Sequence, residues 1–425
     1  MMRPVTEPQL TLPRTAPTRV PGARRGVAVL VVTQLLTGIG VASGVAVGGV
    51  LAEELAGTAS AAGVAQTASI VGAGLASVPL AELAARSGRR LGLAVGAGAA
   101  TAGALAVLGA AVLGWLPLMV LGMLLFGAAT AVGLQARYAA AELAVPERRA
   151  RTMSVVIWAT TVGAVIGPNL SQPGSEVGVL LGLPGLAGPF LFSVVVFLAA
   201  TLVLAVGLPA RRPEPVTGAE RTAARASSLR LLVGALRRPS LRIGVVAVVT
   251  GHAMMVSVMV MTPVHMNHQG MSLTLVGLVI SIHVLGMYAA SPVFGWLSDR
   301  FGPLPVVLLG AGLFVLAFLG GAFSPESHSS SAPWWLAVAL CLLGLGWSAC
   351  LVGGSAMVAA EAPAAGGVRL QGTVDSAMSL GAAALAALAG PVLAVGGYPS
   401  VNLLGAVALV ALLVVVLTAR TAPAR

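Results

Sequence analysis

Long apolar runs recur along the whole chain, and charged residues rarely interrupt them. A helix of about 20 such residues spans the hydrocarbon core of a bilayer while satisfying its own backbone hydrogen bonds. Only 9% of the 425 residues are charged, and 57% are hydrophobic, whereas ordinary globular domains carry about 25% charged residues. A soluble enzyme, a disordered tail and a nucleic-acid-binding protein are therefore poor interpretations. We expect an integral membrane protein.

Twelve runs are long enough to span the membrane. An Arg- and Pro-rich segment divides them six and six, which predicts an all-α membrane protein of two pseudo-symmetric six-helix bundles. The predicted domains are a tail 1–25, a bundle 26–208, a linker 209–241, a bundle 242–419 and a tail 420–425. The predicted spans are residues 26–51, 60–83, 91–113, 116–137, 153–171, 188–208, 242–264, 271–296, 304–323, 334–359, 373–393 and 400–419.

The basic residues predict an orientation. All 24 are arginines, and with the N-terminus inside, every one falls in a tail or connector on the same side. Cytoplasmic connectors carry an excess of basic residues, so we predict a multi-pass plasma-membrane protein with both termini in the cytoplasm. Arg137, at the end of the fourth span, is interpreted as a headgroup anchor. Glu82 and Asp375 lie at the ends of their spans. Either is a candidate to carry a coupling proton, but we favour an interpretation of both as interfacial groups.

A short motif recurs at the same place in each half. The eighth span ends in Gly-Trp-Leu-Ser-Asp-Arg-Phe-Gly over 295–302, and the second ends in Ala-Glu-Leu-Ala-Ala-Arg-Ser-Gly-Arg-Arg over 81–90. Such repeats are typical of transporters. We expect the second-copy carboxylate to face the positive N-terminus of a neighbouring helix, a role for which the first copy has only Ala85.

These features together resemble the major facilitator superfamily, whose loop sequence is Gly-x-Leu-Ala-Asp-Arg-x-Gly-Arg-Arg. The resemblance covers the twelve spans, the six-and-six division, the basic central loop and the repeated motif. It implies a secondary transporter that is not an enzyme and has no cofactor, with halves that rock about a site near the bilayer midplane. It also implies that the loop latches the cytoplasmic side. The residues of this predicted conformational latch are Gly295, Asp299, Arg300, Gly302, Arg86, Gly88, Arg89 and Arg90. Expected partners are membrane lipid and a small-molecule or metal-ion substrate, with a coupling proton as a further candidate and no nucleic acid.

Small residues mark two spans for close packing. The first span carries glycines at intervals of four, which let another helix approach closely, either as a permanent contact or as a sliding surface. The fifth span resembles part of the antiporter motif of the superfamily's drug exporters, and we favour a Pro kink relieved by glycine over a proton-antiport determinant. The residues concerned are Gly40, Gly44 and Gly48 in the first span, and Gly163, Gly167 and Pro168 in the fifth.

Histidine and methionine concentrate in the seventh and eighth spans. Four of the five histidines lie in 252–283, and seven of the 14 methionines lie in 254–287. His252, Met255 and Met259 share one helical face, and His283 and Met287 share another. Thioether and imidazole groups are ligands that suit Cu(I).

The paired patterns Met-x-x-x-Met and His-x-x-x-Met resemble those of the superfamily's copper importers for cytochrome oxidase assembly. This resemblance implies copper uptake, with Met255, Met259, His283 and Met287 as ligands, His252 beside them, and an entry funnel around His265 and His268.

Other cargoes and roles stay open from the sequence. Met is also a common apolar filler of helices. The same branch of the superfamily includes relatives that move a flavin-like vitamin, so a proton-coupled importer or exporter of a small organic molecule, either drug or vitamin, is an alternative. A receptor or assembly partner that does not transport is another. Polar residues within the spans predict a substrate cavity lined by Gln34, Asn169, Ser281 and Tyr288.

Overall fold

The computed structural model describes residues 22–58, 61–210, 227–323 and 332–420. In these ranges, eleven helices are long and apolar enough to cross a membrane. The last, Gly367–Arg420, joins two helices across Gly397, whose φ of 67° and ψ of −170° are not helical. The predicted all-α fold is confirmed. Its spans are α1 (Ala23–Ala56), α2 (Ala62–Ser87), α3 (Arg89–Leu113), α4 (Leu116–Leu143), α5 (Arg149–Asn169), α6 (Gly188–Gly207), α7 (Pro239–His268), α8 (Thr274–Phe301), α9 (Pro303–Ala322), α10 (Ala332–Ala365), α11 (367–396) and α12 (398–420).

The linker contains a helix that is not predicted from the sequence. Helix Ser228–Leu236 begins after Ser227, whose hydroxyl accepts the backbone N–H of Arg230. It buries Leu231 and Ala235 and packs against α7, α10 and α11. A second short helix, Ser171–Leu180, follows α5. Of the predicted tails 1–25 and 420–425 and the predicted linker 209–241, residues 1–21, 211–226 and 421–425 lie outside the described residues.

Two glycine turns are equivalent in the two halves. Gly88 joins α2 to α3 with φ 92° and ψ 157°, and Gly302 joins α8 to α9 with φ 88° and ψ 161°. This backbone region is essentially restricted to glycine. The repeated motif therefore encodes the same tight turn twice, once in α1–α6, which we call the N-half, and once in α7–α12, the C-half.

The glycines of α1 receive neighbouring helices on two sides. A Cβ on Gly40 would lie 2.4 Å from Phe197 Cε1, and one on Gly44 would lie 2.5 Å from Phe126 Cζ, so rings of α6 and α4 fill this face. On the other side, a Cβ on Gly163 would lie 2.6 Å from the Gly38 carbonyl carbon. Gly167 approaches Ala42 in the same way, and Pro168 is the last residue but one of α5. Close helix approach of this kind replaces hydrophobic driving force in lipid.

The two halves meet mainly through α2 with α11 and α5 with α8. The ends of α2, α4 and α8 lie at one end of the bundle, where the exposed Arg86, Arg148 and Arg300 are found. We call this end the Arg-rich face. The largest hydrophobic core cluster joins the C-half to Tyr138 and Met153 of the N-half, so apolar packing continues across the contact between the halves.

Candidate functional site

A buried ion pair connects the two halves. Arg137 of α4 donates from Nη2 to Asp375 Oδ1 of α11 at 2.6 Å, and the two side chains are 1% and 0% exposed. Arg137 Nε also donates to Ser355 Oγ of α10 at 2.9 Å, while Nη1 donates to the Leu134 carbonyl at 2.8 Å. The guanidinium carbon lies 4.5 Å from the centre of the Tyr138 ring. An N-half cation thus makes two of its bonds to the C-half.

Two sequence interpretations are corrected here. Arg137 is not a headgroup anchor, and Asp375 is not an interfacial group, because both are buried between the halves. Position near the end of an apolar run suggested exposure, but the other half covers these helix ends. A buried charge is costly unless it is paired and hydrogen-bonded, and here each charge neutralises the other.

The second copy of the repeated motif binds a helix terminus in the opposite half. Asp299 of α8 accepts the backbone N–H groups of Ala150 and Arg151, each at 3.0 Å. These groups belong to the first turn of α5, where backbone donors lack partners within the helix and the helix dipole favours an anion. Nearby, Ser291 donates to the Ser154 carbonyl at 3.1 Å.

The other motif residues near α8 support this approach in different ways. A Cβ on Gly295 would lie 2.1 Å from Ser154 Oγ, so only glycine permits this contact between α8 and α5. Arg300 is exposed beside Asp299. Gly302 forms the turn described above.

The first copy of the motif uses different residues to reach the C-half. Glu82, one turn before Arg86, accepts Arg86 Nε at 2.5 Å and Arg369 Nη2 at 2.6 Å. Arg89 donates to Glu142 Oε1 at 2.6 Å and also to Gln371 of α11. Ala85 has no carboxylate, so Glu82 and Arg89 provide the polar contacts with α11. Gly88 forms the turn, and Arg90 is half-buried.

Both predicted His/Met faces meet α10. Trp347 Nε1 donates to His252 Nδ1 at 2.9 Å. His283 Nδ1 bonds the Leu340 carbonyl at 2.8 Å; since a carbonyl only accepts, this nitrogen carries the proton. His283 Nε2 then has a lone pair, and it is buried without a hydrogen-bond partner. The two imidazoles are therefore held by the same helix, one from α7 and one from α8.

The thioethers of the predicted copper site are packed into the C-half. Met255 and Met287 are buried, and Met259 is half-buried in the same cluster. α8 lies close to α10, because a Cβ on Gly344 would lie 2.8 Å from the backbone nitrogen of Met287. Among the described residues, no group of three or more His, Cys, Asp or Glu could hold a metal ion. A metal site here would depend on methionine.

An aromatic cluster, His252, Tyr288 and Trp347, joins α7, α8 and α10. The Trp347 ring centre lies 5.4 Å from that of Tyr288 at an interplanar angle of 82°, and 6.0 Å from that of His252. Trp347 belongs to the hydrophobic core cluster that also contains Tyr138 and Met153 of the N-half, and Tyr288 packs against it, so the aromatic cluster lies in the core that continues across the contact between the halves. Trp347 is not among the residues predicted from the sequence; the available signal is a lone tryptophan between Gly346 and Ser348.

The other predicted cavity residues separate into two groups. Gln34 Nε2 donates to Thr160 Oγ1 at 2.7 Å, and its Oε1 is buried without a partner. Asn169 and Ser281 are exposed, and each donates to a carbonyl of its own helix. Gln34 and Tyr288 thus lie inside the bundle. Asn169 and Ser281 lie on its surface, so they do not line the predicted cavity in this structure.

The sequence profile of the Major Facilitator Superfamily matches residues 28–282 and 247–425. The chain belongs to the major facilitator superfamily. Two similar relatives are uncharacterized MFS-type transporters of Bacillus subtilis. YddS is 34% identical over 363 residues, which are 84% of this chain and 82% of YddS. YdeG is 35% identical over 368 residues, 85% of this chain and 84% of YdeG.

A third relative of this superfamily member has a named cargo. The riboflavin transporter RfnT of Brucella anthropi is 30% identical over 343 residues, which are 79% of this chain and 81% of RfnT.

Solved structures show the same fold at low sequence identity. The human organic anion transporter MFSD10 superposes with a TM-score of 0.73 at 17% identity, covering 93% of this chain and 100% of that one. The Escherichia coli fucose:proton symporter FucP gives a TM-score of 0.69 at 16% identity, covering 92% of this chain and 98% of that one.

This superfamily member is a multi-pass membrane transporter with a small-molecule substrate, and it is not an enzyme.

Proposed function

We propose that this transporter moves a small planar organic molecule of the flavin-like vitamin class across the plasma membrane. The two halves alternate access to a site beside their contact, and the Arg-rich face lies in the cytoplasm. The observation that carries the proposal is the cluster of His252, Tyr288 and Trp347, since aromatic side chains and a few placed polar groups are typical of small-molecule sites.

The cluster has the chemistry to hold a planar heterocycle. Trp347 and Tyr288 offer ring faces for stacking, and such aromatic contacts contribute about 0.5–1.5 kcal/mol beyond the area they bury. Because His252 Nδ1 accepts the Trp347 N–H, its Nε2 carries the proton of the neutral imidazole and can donate. In the N-half, Gln34 Oε1 is also buried and unpartnered and can accept a hydrogen bond. The likeness to RfnT supports a flavin-like cargo.

The polar contacts between the halves support alternating access. Asp299 with the first turn of α5, Glu82 with Arg369, and Arg137 with Asp375 all join the halves toward the Arg-rich face. Water can replace each partner when this face opens, so the contacts can be broken and remade in a cycle. By the positive-inside rule, the arginines support a cytoplasmic location for this face. Reporter tags at residues 58 and 182 on one side, and at 88 and 302 on the other, test the orientation.

Uptake of radiolabelled riboflavin into cells that lack their own flavin uptake tests the cargo. We expect expression of the chain to restore uptake and Trp347→Ala to reduce it about tenfold, by loss of stacking and of the bond to His252. Trp347→Phe retains a ring and should fall between the two. Trp296, which is exposed and packs on Phe301, provides the matched control Trp296→Ala. Equal uptake by Trp347→Ala and the unsubstituted protein would contradict the assignment.

Copper uptake is the second candidate, and one observation favours it. His283 Nε2 is a buried lone pair without a partner, in a helix region with Met287, and imidazole with thioether suits Cu(I). Cellular copper measured with His283→Leu and Met255→Leu distinguishes the candidates. Loss of copper accumulation with unchanged riboflavin uptake would support the metal, and unchanged copper with both variants would exclude it.

A further inference from the structure

We propose that Asp375 binds the proton of the transport cycle and that its bond to Arg137 is the contact between the halves that protonation releases. This inference deepens the proposed function and rests on the alternating movement of the halves. It assigns a role to a buried pair that neither the aromatic cluster nor the repeated motif explains.

The two carboxylate oxygens of Asp375 differ. Oδ1 accepts Arg137 Nη2 at 2.6 Å. Oδ2 is buried and has no hydrogen-bond partner. A buried anionic oxygen without a donor is unfavourable, whereas a protonated carboxyl carries only a neutral hydroxyl at that position. The geometry therefore provides one specific atom at which a proton relieves an unsatisfied group.

Among the described residues that pack against α11, no other carboxylate is buried with one oxygen paired and the other unpaired. The groups within electrostatic range of Asp375 are Arg137, Tyr138 and Arg89, and these keep their protons at neutral pH. Other groups on the packed elements are engaged or do not titrate: Glu82 with Arg86 and Arg369, Glu142 with Arg89, His252 with Trp347, and Ser355 with Arg137.

Protonation changes the balance of contacts across the halves. One solvated proton from the aqueous phase binds Oδ2, and Asp375 becomes neutral while Arg137 keeps its charge. The guanidinium retains the Leu134 carbonyl within its own half, and it takes water or an electronegative group of the cargo in place of the carboxylate. α4 and α11 can then separate at the Arg-rich face. Release of the proton to water on the opened side returns Asp375 to its charged form, which pairs again with Arg137 when the halves close.

Electron spin resonance distance measurement tests this without knowledge of the cargo. Nitroxide labels are placed by Ser87→Cys in the N-half and Ala364→Cys in the C-half, both exposed near the Arg-rich face. The native Cys341 and Cys350 are replaced by alanine. Lipid nanodiscs are compared from about pH 5 to pH 9, a range that spans titration of a buried carboxylate and of histidine.

For the unsubstituted pair, we expect the longer distance to gain population as pH falls, by at most about tenfold per pH unit for one proton. Asp375→Asn should show the longer distance at every pH. Asp375→Glu retains a titrating carboxyl and should keep a pH response with a displaced midpoint. It therefore provides a second test of the proposal if Asp375→Asn does not fold. Glu82→Gln removes a neighbouring pair between the halves and should shift the distance ratio while the pH response persists.

Two results would overturn the assignment. One is a pH response in Asp375→Asn equal to that of the unsubstituted protein. The other is the loss of the pH response in His252→Gln, which would show that the titrating group is the His252 imidazole. A distance change that is independent of pH refutes the role of Asp375 but leaves transport standing. A single fixed distance at every pH and with added riboflavin refutes the alternating movement itself.

Discussion

Asp299→Ala removes a contact that exists only while α8 and α5 are together at the Arg-rich face. Its carboxylate accepts two backbone N–H groups at 3.0 Å across the halves. Hydrogen bonds to charged groups contribute about 1.5–3 kcal/mol each when buried. Because Asp299 is only half-buried and water competes for it, we take about 1–2 kcal/mol for both bonds together.

That energy changes the balance of states rather than the fold. A loss of about 1–2 kcal/mol raises the ratio of open to closed forms by a factor of about 5–30. Asp299→Asn keeps one acceptor oxygen and loses the charge, so its effect should lie between those of aspartate and alanine. The spin-label distances between Ser87→Cys and Ala364→Cys measure the ratio directly.

Glu147→Gln is the matched control, because it removes an exposed carboxylate at the same face from the N-terminal side of α5 itself. We expect its distance distribution to equal that of the unsubstituted protein. A ratio for Asp299→Ala within twofold of the unsubstituted protein, or an equal shift in Glu147→Gln, would refute the reasoning.

Three further changes have defined outcomes. Gly163→Ala places a Cβ 2.6 Å from a backbone carbon of α1 and should lower the free energy of unfolding by about 1–3 kcal/mol, whereas Gly312→Ala, which meets open space, should be neutral or stabilising. A double-mutant cycle of Gln34→Leu and Thr160→Val should give a coupling of about 0.6 kcal/mol for their hydrogen bond, and zero coupling would contradict the contact. Gly397→Ala forces a side chain onto a backbone with φ 67° and should cost about 1–3 kcal/mol. Denaturant unfolding in mixed micelles measures all three, and an unaltered midpoint for Gly397→Ala would show that the turn relaxes.

The spanning helices could be predicted because hydrocarbon imposes a simple rule on sequence. A spanning segment must be apolar and about 20 residues long, and that pattern is legible without knowledge of neighbours. The helix Ser228–Leu236 was missed because it is short and lies in a segment whose Arg and Pro content indicated a loop.

The buried pair and the aromatic cluster could not be found in this way. Arg137 and Asp375 lie 238 positions apart, and nothing in either local segment shows that the opposite half covers both. Trp347 likewise acquires its role from His252 and Tyr288 on two other helices. The periodicity of a sequence predicts which side chains share one face of a helix, but it does not predict which other helix packs against that face.

At the Arg-rich face the halves meet along two lines of contact, which we call seams: α5 with α8, and α2 and the start of α3 with α11. The two seams respond differently to mutation. Along the α5–α8 seam, the donors to Asp299 are peptide groups, which every substitution except proline preserves. Along the second seam, where α2 and the first residue of α3 meet α11, both members of the Glu82–Arg369 and Arg89–Gln371 contacts are side chains, so a substitution of either partner can abolish a contact. Natural variation can therefore retune the second seam from either half, whereas the Asp299 bonds of the first seam can be retuned by side-chain substitution only from the C-half.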